Sequence, residues 1–418
     1  MAENNHNSLQ PIISIRLPKT FAAFRHRNFR LYWVGNMVSF TGTWMQNIAK
    51  SWLVLSVTNS AFFVGLDTTL SWLPVWLVSL PAGVLADRFN KRNLMILTQS
   101  ALAFFALILA ILTWMRVITI YHILTISFLA GIFVALNAPV AQTLIPELVE
   151  RQDVLNAIAL NSSMFNTARM IGPAIAGSLL AFSGPAPIFA INAASFLAII
   201  IALAFIQLKK SANGNTNIEP IRTQLLSGLR FVGSHPDIRI LLIMVGVFSS
   251  FGIAYIPLMP VIARDVLHQG AHGYGLMMTA LGAGAVTGGL TLASLSKTRH
   301  RGKILLAGTL GLGLLVILFS LCRSYQMALL LLVFIGFCQT SIAALSNTLI
   351  QTLSPDYIRG RAMSVFSLFF NGMFPVGSLI AGSIAQAKGA CFALLISGIV
   401  ILISFVAVNL LRPQLRRI

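Results

Sequence analysis

An all-α membrane protein, with twelve transmembrane helices in two pseudo-symmetric six-helix bundles, is the fold class this sequence predicts. Three observations carry that expectation. Of the 418 residues, 57% are hydrophobic and only 9% charged, and the mean hydropathy is +0.84; a soluble chain of this length needs far more charge to cover its surface. The apolar residues fall into runs that each reach the ~20 residues a helix needs to cross a bilayer core. The second half also echoes the first: Gln142-Thr-Leu-Ile-Pro-Glu147 returns as Gln351-Thr-Leu-Ser-Pro-Asp356, and Asn28-Phe-Arg-Leu31 as Asp237-Ile-Arg-Ile240, both at an offset of 209. An offset of half the chain marks a two-fold repeat with a substrate site between the halves.

Residues 1–30 read as a cytoplasmic tail, of which 21–30 is basic and aromatic and suits a membrane surface. Six runs follow, at 31–57, 61–86, 93–115, 119–145, 156–182 and 186–208, and make an N-terminal bundle over 31–208. The polar stretch 209–237 is a cytoplasmic linker, in which Leu225, Leu226, Leu229 and Phe231 are spaced as an amphipathic interfacial helix. Runs at 238–263, 274–296, 303–322, 325–348, 361–386 and 391–411 make the C-terminal bundle over 238–411, and 412–418 form a second cytoplasmic tail. Of the 29 Lys and Arg, 23 fall on one predicted face, four on the other (Arg116, Arg264, Arg323 and Lys388), and two, Lys50 and Arg169, inside spans. By the positive-inside rule both termini are expected in the cytoplasm of a multi-pass inner-membrane protein. The same asymmetry accounts for a net charge of +19 with no nucleic-acid partner.

Between the second and third runs lies Pro81-Ala-Gly-Val-Leu-Ala-Asp-Arg-Phe-Asn-Lys-Arg92. Gly83 permits close helix approach, Asp87 suits a helix start, and Arg88, Lys91 and Arg92 hold the segment at the cytoplasmic face. The string G-x-L-A-D-R-x-x-K-R resembles the loop between the second and third helices of major facilitator superfamily transporters. That resemblance implies a conformational-gating role for Gly83, Asp87, Arg88 and Arg92. It extends over essentially the whole chain through Arg27-Asn-Phe-Arg-Leu-Tyr-Trp33, Gly42-Thr-Trp-Met-Gln46 and Ala135-Leu-Asn-Ala-Pro-Val-Ala-Gln-Thr-Leu-Ile-Pro-Glu147. These stretches resemble the enterobactin exporter, or transmembrane secretion effector, branch of the superfamily. Gly172-Pro-Ala-Ile-Ala-Gly177 is similar to a shorter form of a drug–proton antiporter motif, although the Arg those antiporters carry on helix 4 is missing here.

Ionisable groups are costly in lipid and therefore diagnostic. Lys50 lies 8.5 positions before the middle of the Thr58-Asn59 turn and Asp67 lies 8.5 positions after it. Both thus sit ~13 Å from the turn by helical rise, where they can pair. Asp67 is the one acidic residue well inside a predicted span, which makes it the proton-coupling candidate with Lys50 as partner. On helix 1, Asn36, Thr43 and Asn47 share a face with Lys50; on helix 5, Ser162 and Asn166 share a face with Arg169; on helix 11, Ser364, Ser367 and Asn371 repeat that pattern. Bonding between helices, worth ~0.6 kcal/mol per contact, accounts for a lone Ser or Asn. Matched stripes on helices 1, 5 and 11, which line the cavity in the resembling family, point equally to substrate contact, with Arg169 placed to meet an acidic group. Glycines 275 and 282 are candidate bending points of helix 8.

The expected function is secondary active transport: proton-coupled efflux of a small amphipathic organic compound, siderophore or drug-like, by alternating access. An importer or a lysolipid mover on the same fold is the alternative, and a non-transporting scaffold or receptor a more distant one. An enzyme is disfavoured, since no nucleophile–base pair or phosphate loop converges on one site. Asp265, His268 and His272 have metal-compatible spacing but read as a solvated outer loop, and the three cysteines read as packing residues. No metal and no cofactor are expected. The expected partners are a lipid bilayer, a small-molecule substrate and the proton gradient, with the protein a monomer.

Overall fold

The computed structural model describes residues 19–207, 221–294 and 300–417, all helix and connection with no strand among them. The first half contains α1 (Arg27–Thr58), α2 (Ala61–Arg88), α3 (Lys91–Trp114), α4 (Ile120–Leu144), α5 (Val154–Ser183) and α6 (Pro185–Phe205). A short helix, α7 (Ile221–Ser234), precedes the second half. There α8 (Pro236–Val247) opens an irregular rod that runs to Val266, followed by α9 (Ala271–Ser294), α10 (Arg301–Leu321), α11 (Tyr325–Leu353), α12 (Arg359–Lys388) and α13 (Ala390–Leu411). Among the described residues ten helices are long and apolar enough to cross a membrane. The two long helices outside that set, α1 and α5, are those that carry the polar stripes with Lys50 and Arg169.

Backbone chemistry explains the turns. Asn59 sits in the left-handed region at φ 50°, donates its N–H to Leu55 O at 2.8 Å, and lets α1 double back into α2; Asn tolerates that region better than most residues. Gly184 (φ 73°) and Gly389 (φ 90°) make the α5–α6 and α12–α13 turns. They stand 205 positions apart, four fewer than the hexapeptides. With a four-residue difference in loop length, the half-chain repeat thus extends to these two turns, where glycine takes the positive φ.

Small residues bring the helices together within each half. A Cβ on Gly35 would meet Ala202 Cβ at 3.0 Å, fixing α1 on α6. In the other bundle Gly284 and Gly336 let α9 and α11 touch backbone to backbone, against Val333 and Leu281 respectively. In lipid, where helix association has no hydrophobic drive, close contact of this kind carries much of the cohesion.

The halves meet along two seams that the pseudo-two-fold relates, α2 with α12 and α5 with α9. In the first, Ser60 Oγ donates to Gln386 Oε1 at 2.7 Å, Thr69 Oγ1 donates to Pro375 O at 2.9 Å, and Gly65 faces Gly382. In the second, Gly177 faces Gly275, and Gly282 lies on Met170. Both seams start at the end opposite the termini, where Arg264 also donates to Asn59 Oδ1 at 2.8 Å. Glycines 275 and 282, expected as bending points, lie within a continuous helix at this contact.

Basic groups cluster at the end that carries the termini. His26 Nε2 lies 2.8 Å from Asp153 Oδ2, and Lys91 Nζ 2.5 Å from Glu147 Oε1. Arg92 donates to Ala204 O at 2.6 Å, a cation placed on the carbonyl end of α6 where the helix dipole favours it. One expectation is corrected here. The segment expected as a loop around Gly83, Asp87 and Arg88 is helical backbone to the end of α2. Asp87 therefore does not start a helix; Asn90 caps α3 instead, its Oδ1 accepting from Asn93 N at 3.2 Å. The side chains of 79–88 lie outside the described set, so no contact is assigned to Asp87 or Arg88. Residues 295–299, and 208–220 in the linker, also lie outside it.

Candidate functional site

The charged centre of the first half is built by three helices. Lys50 Nζ lies 3.1 Å from Asp67 Oδ2, and both side chains are nearly lost from the surface, Asp67 at 2% exposure. The Lys50 ammonium also donates to Ser71 Oγ at 2.9 Å and Ser127 Oγ at 2.8 Å, so its three protons have three acceptors. Ser127 Oγ in turn donates to Asp67 Oδ1 at 2.5 Å, and Ser71 Oγ to the Asp67 carbonyl at 2.8 Å. The α4 contribution depends on Gly131, one turn beyond Ser127. A Cβ there would stand 2.5 Å from the Ser71 carbonyl oxygen, so only glycine lets α4 come close enough for Ser127 to reach Asp67. A buried pair held by this many hydrogen bonds offsets much of its desolvation cost.

Beside this centre a cavity of ≈ 260 Å³ lies inside the N-terminal bundle. The α1 stripe lines it, with Asn36, Thr43, Asn47 and Lys50 all on its wall. Gln99 of α3, Asn137 of α4 and Asn192 of α6 face them, while Phe40, Phe105 and Phe196 set its width. Asn137 Oδ1 accepts from Thr98 Oγ1 at 3.1 Å, and Asn192 Nδ2 donates to Gln46 Oε1 at 2.8 Å.

The other two stripes lie apart from it. On α5, Ser162 is exposed, and Asn166 Nδ2 donates back to its carbonyl at 2.9 Å. On α12, Ser364 and Ser367 are exposed, and Asn371 Nδ2 donates to Ser367 Oγ at 3.0 Å. Arg169 connects the regions. Its guanidinium lies over the Trp44 ring at 5.8 Å and within electrostatic reach of Tyr255 in the other half. No carboxylate meets it among the described residues. Tyr255 is itself fixed by Gln339, whose Nε2 donates to the Tyr255 hydroxyl at 2.7 Å and to Gly252 O at 2.6 Å. Gly252 belongs to the π-helical segment Phe248–Ile253, where the ordinary ladder of the rod is broken.

Sequence reasoning missed Ser71, Ser127, Gln99, Asn137, Asn192, Tyr255 and Gln339. They are polar residues scattered along largely apolar spans, and the sequence does not say which of them face one another across helices. The one usable signal was Gly131 one turn from Ser127, a small residue that marks close helix approach. Of the three residues expected in a loop, Asp265 lies in the π-helical end of the rod, Ile262–Val266, where it accepts from Arg264 Nε at 2.6 Å. His272 lies in the first turn of α9, leaving only His268 in the connection. Cys322, Cys338 and Cys391 are free thiols.

Comparison with known proteins places this geometry. A family model described as transmembrane secretion effector matches residues 18–417. The staphyloferrin A transporter of Staphylococcus aureus (strain NCTC 8325 / PS 47) is 27% identical over 378 residues, 88% of this chain and 92% of that protein. The multidrug efflux pump Tap of Mycolicibacterium fortuitum is 27% identical over 384 residues, covering 89% and 92%. The enterobactin exporter EntS of Shigella boydii serotype 4 (strain Sb227) is 25% identical over 412 residues, covering 96% of each. Among solved structures the nucleoside transporter NupG superposes with a TM-score of 0.72 at 11% identity, over 91% of this chain and 98% of that one. A bacterial homologue of the human lysosomal transporter Spinster, inward-facing and occupied, gives 0.74 at 14% identity, over 96% and 99%. The fold is that of the major facilitator superfamily transporters.

Proposed function

Because the chain belongs to the transmembrane secretion effector family, we propose that this membrane transporter is a proton-coupled secondary exporter of a small amphipathic organic compound. Siderophores and drug-like molecules are the substrate classes, in keeping with the names of its relatives. The observation that carries the coupling is the buried Lys50–Asp67 pair at 3.1 Å. An ion pair in a membrane-spanning bundle is costly to keep and marks a functional path. Asp67 is the carboxylate that takes and releases the proton, and Lys50 is the cation that holds it between those events. Substrate meets the α5 and α12 stripes in the cleft between the halves, where Arg169 engages an acidic group. The two seams part and re-form during alternating access, with the termini and the basic face on the cytoplasmic side of the inner membrane and the protein acting as a monomer.

The test uses inverted membrane vesicles with an imposed proton gradient, and ethidium and enterobactin as probes. Wild-type protein is expected to concentrate at least one of them. Asp67→Asn, and the double variant Lys50→Met with Asp67→Asn, are expected to insert, lose concentrative transport and retain downhill exchange. Full gradient-driven transport by either variant would remove Asp67 from the coupling step. Recovery of both abundance and gradient-driven transport in the double variant alone would make the pair structural.

A further inference from the structure

We infer that the cavity inside the N-terminal bundle is a hydrated passage through which protons reach Asp67 from the end carrying the termini, separate from the cleft between the halves. This rests on the coupling role proposed for Asp67. Shape is the first argument. The wall runs along α1 from Asn36 to Lys50, 14 positions, or ~21 Å by helical rise. At ≈ 260 Å³ over such a length it is too narrow for an amphipathic substrate; pockets for drug-sized ligands span ~300–1,000 Å³ in compact form. Waters and a solute of only a few non-hydrogen atoms fit it.

The second argument is the chemistry of its two ends. At one end stand Asn36, Gln99 and Asn137, each two to three turns from the terminal-side end of its own helix. At the other stand Lys50, Ser71 and Ser127 around Asp67. Asn47, Gln46 and Asn192 lie between them. Two polar atoms at the first end are short of partners, on residues 4% and 1% exposed. Among the described residues Gln99 Oε1 has none, and Asn36 Nδ2 has none within hydrogen-bond distance, its amide interacting only loosely with Tyr32. A buried acceptor and a buried donor left bare are costly, whereas water in a polar cavity satisfies both. The acceptor and donor thus call for water at the entrance, and the amides and hydroxyls beyond them continue the chain.

Lys50 is the one charged side chain on the cavity wall among the described residues, with Asp67 directly behind it and Arg169 beyond Trp44. The step is a proton relay. Ser127, on the cavity wall, passes its hydroxyl proton to Asp67 Oδ1 as the last water gives one to Ser127 Oγ, so that one O–H bond forms for each that breaks. That water regains a proton from the water behind it. Lys50 keeps its charge throughout.

The experiment uses the full chain in lipid nanodiscs carrying Ala130→Cys, on the cavity wall near the ion pair but outside it. The probe is 2-aminoethyl methanethiosulfonate, read by peptide mass spectrometry with Cys322, Cys338 and Cys391 as internal references. Labelling is expected at position 130. Adding Asn36→Leu with Gln99→Leu is expected to slow it at least about tenfold, equivalent to ~1.4 kcal/mol of added barrier. A thiol introduced by Ser162→Cys on α5 should keep its rate. No labelling at 130, or an equal rate with the entrance filled, overturns the passage. Cryo-electron microscopy of the unaltered chain tests it without any variant: water density is expected against Gln99 Oε1, and a dry site there, with other buried waters visible, overturns it. Gradient-driven transport that survives Asp67→Asn sinks the coupling reading instead, and that result is independent of the labelling rates.

Discussion

Arg169 and Asp67 solve the problem of charge in lipid in opposite ways. Asp67 is fully satisfied, by Lys50 on one oxygen and Ser127 on the other, whereas Arg169 has an aromatic face and, among the described residues, no acid. A satisfied pair resists truncation. Ser127→Ala removes one bond to each partner and should lower thermal stability by about 1–3 kcal/mol, read as a fall in the melting temperature of the detergent-solubilised protein. A guanidinium without a carboxylate is open to an acidic ligand. Arg169→Lys keeps the charge and loses the planar fork, so export of an acidic substrate should weaken by roughly tenfold in apparent affinity at unchanged abundance. Unaltered transport by that variant would show that bidentate recognition plays no part. The pairing of Lys50 with Asp67 was legible because both are counted from one turn. Ser127 was not, because nothing in a linear sequence says which face of α4 meets α2.

At the scale of elements, the glycines divide into two kinds that the sequence shows alike. Gly284 is pressed on the Val333 carbonyl within one bundle, and a side chain there has nowhere to go. Gly275 meets Gly177 across the seam between bundles, where a Cβ would stand 2.5 Å from the Gly177 Cα. Gly284→Val should therefore lose about 1–3 kcal/mol of stability and much of its abundance, a cost of overpacking. Gly275→Val should keep its abundance and melting temperature but hold the α5–α9 seam apart. An added Ser178→Cys, at the seam near His272, should then be labelled faster from the face opposite the termini. Equal labelling with and without Gly275→Val would show that the seam is not a gate. Hydrophobic runs located α9 and α11 because each is long and apolar. The unwinding within the rod after α8 escaped notice, since π-helical backbone leaves no mark in composition. The helical continuation of α2 through Arg88 was hidden too, because the charges at 87–92 read as one loop, whereas Asp87 and Arg88 end α2 and the cap of α3, Asn90, stands between them and Lys91.

For the whole molecule, the two-fold repeat read from matched hexapeptides returns as paired seams and paired glycine turns, while the charged centre obeys no such symmetry. At the repeat offset of 209, Lys50 corresponds to Met259 and Asp67 to Leu276, so the second bundle carries an apolar copy of the site. Topology is tested directly: a reporter fused after residue 418 should be active only when it is a cytoplasmic one, and periplasmic phosphatase activity there would invert the assignment. The missing second carboxylate has a thermodynamic reach of its own. With Asp67 as coupling group, each turnover exchanges a single proton, and the electrochemical work available is ~2.3 kcal/mol per 100 mV. A gradient of about 150 mV then supports an accumulation ratio of roughly 300-fold for a neutral substrate, since each tenfold takes ~1.4 kcal/mol. A static head that settles well above that ratio would require a second ion, and the stoichiometry would have to be sought outside this one aspartate.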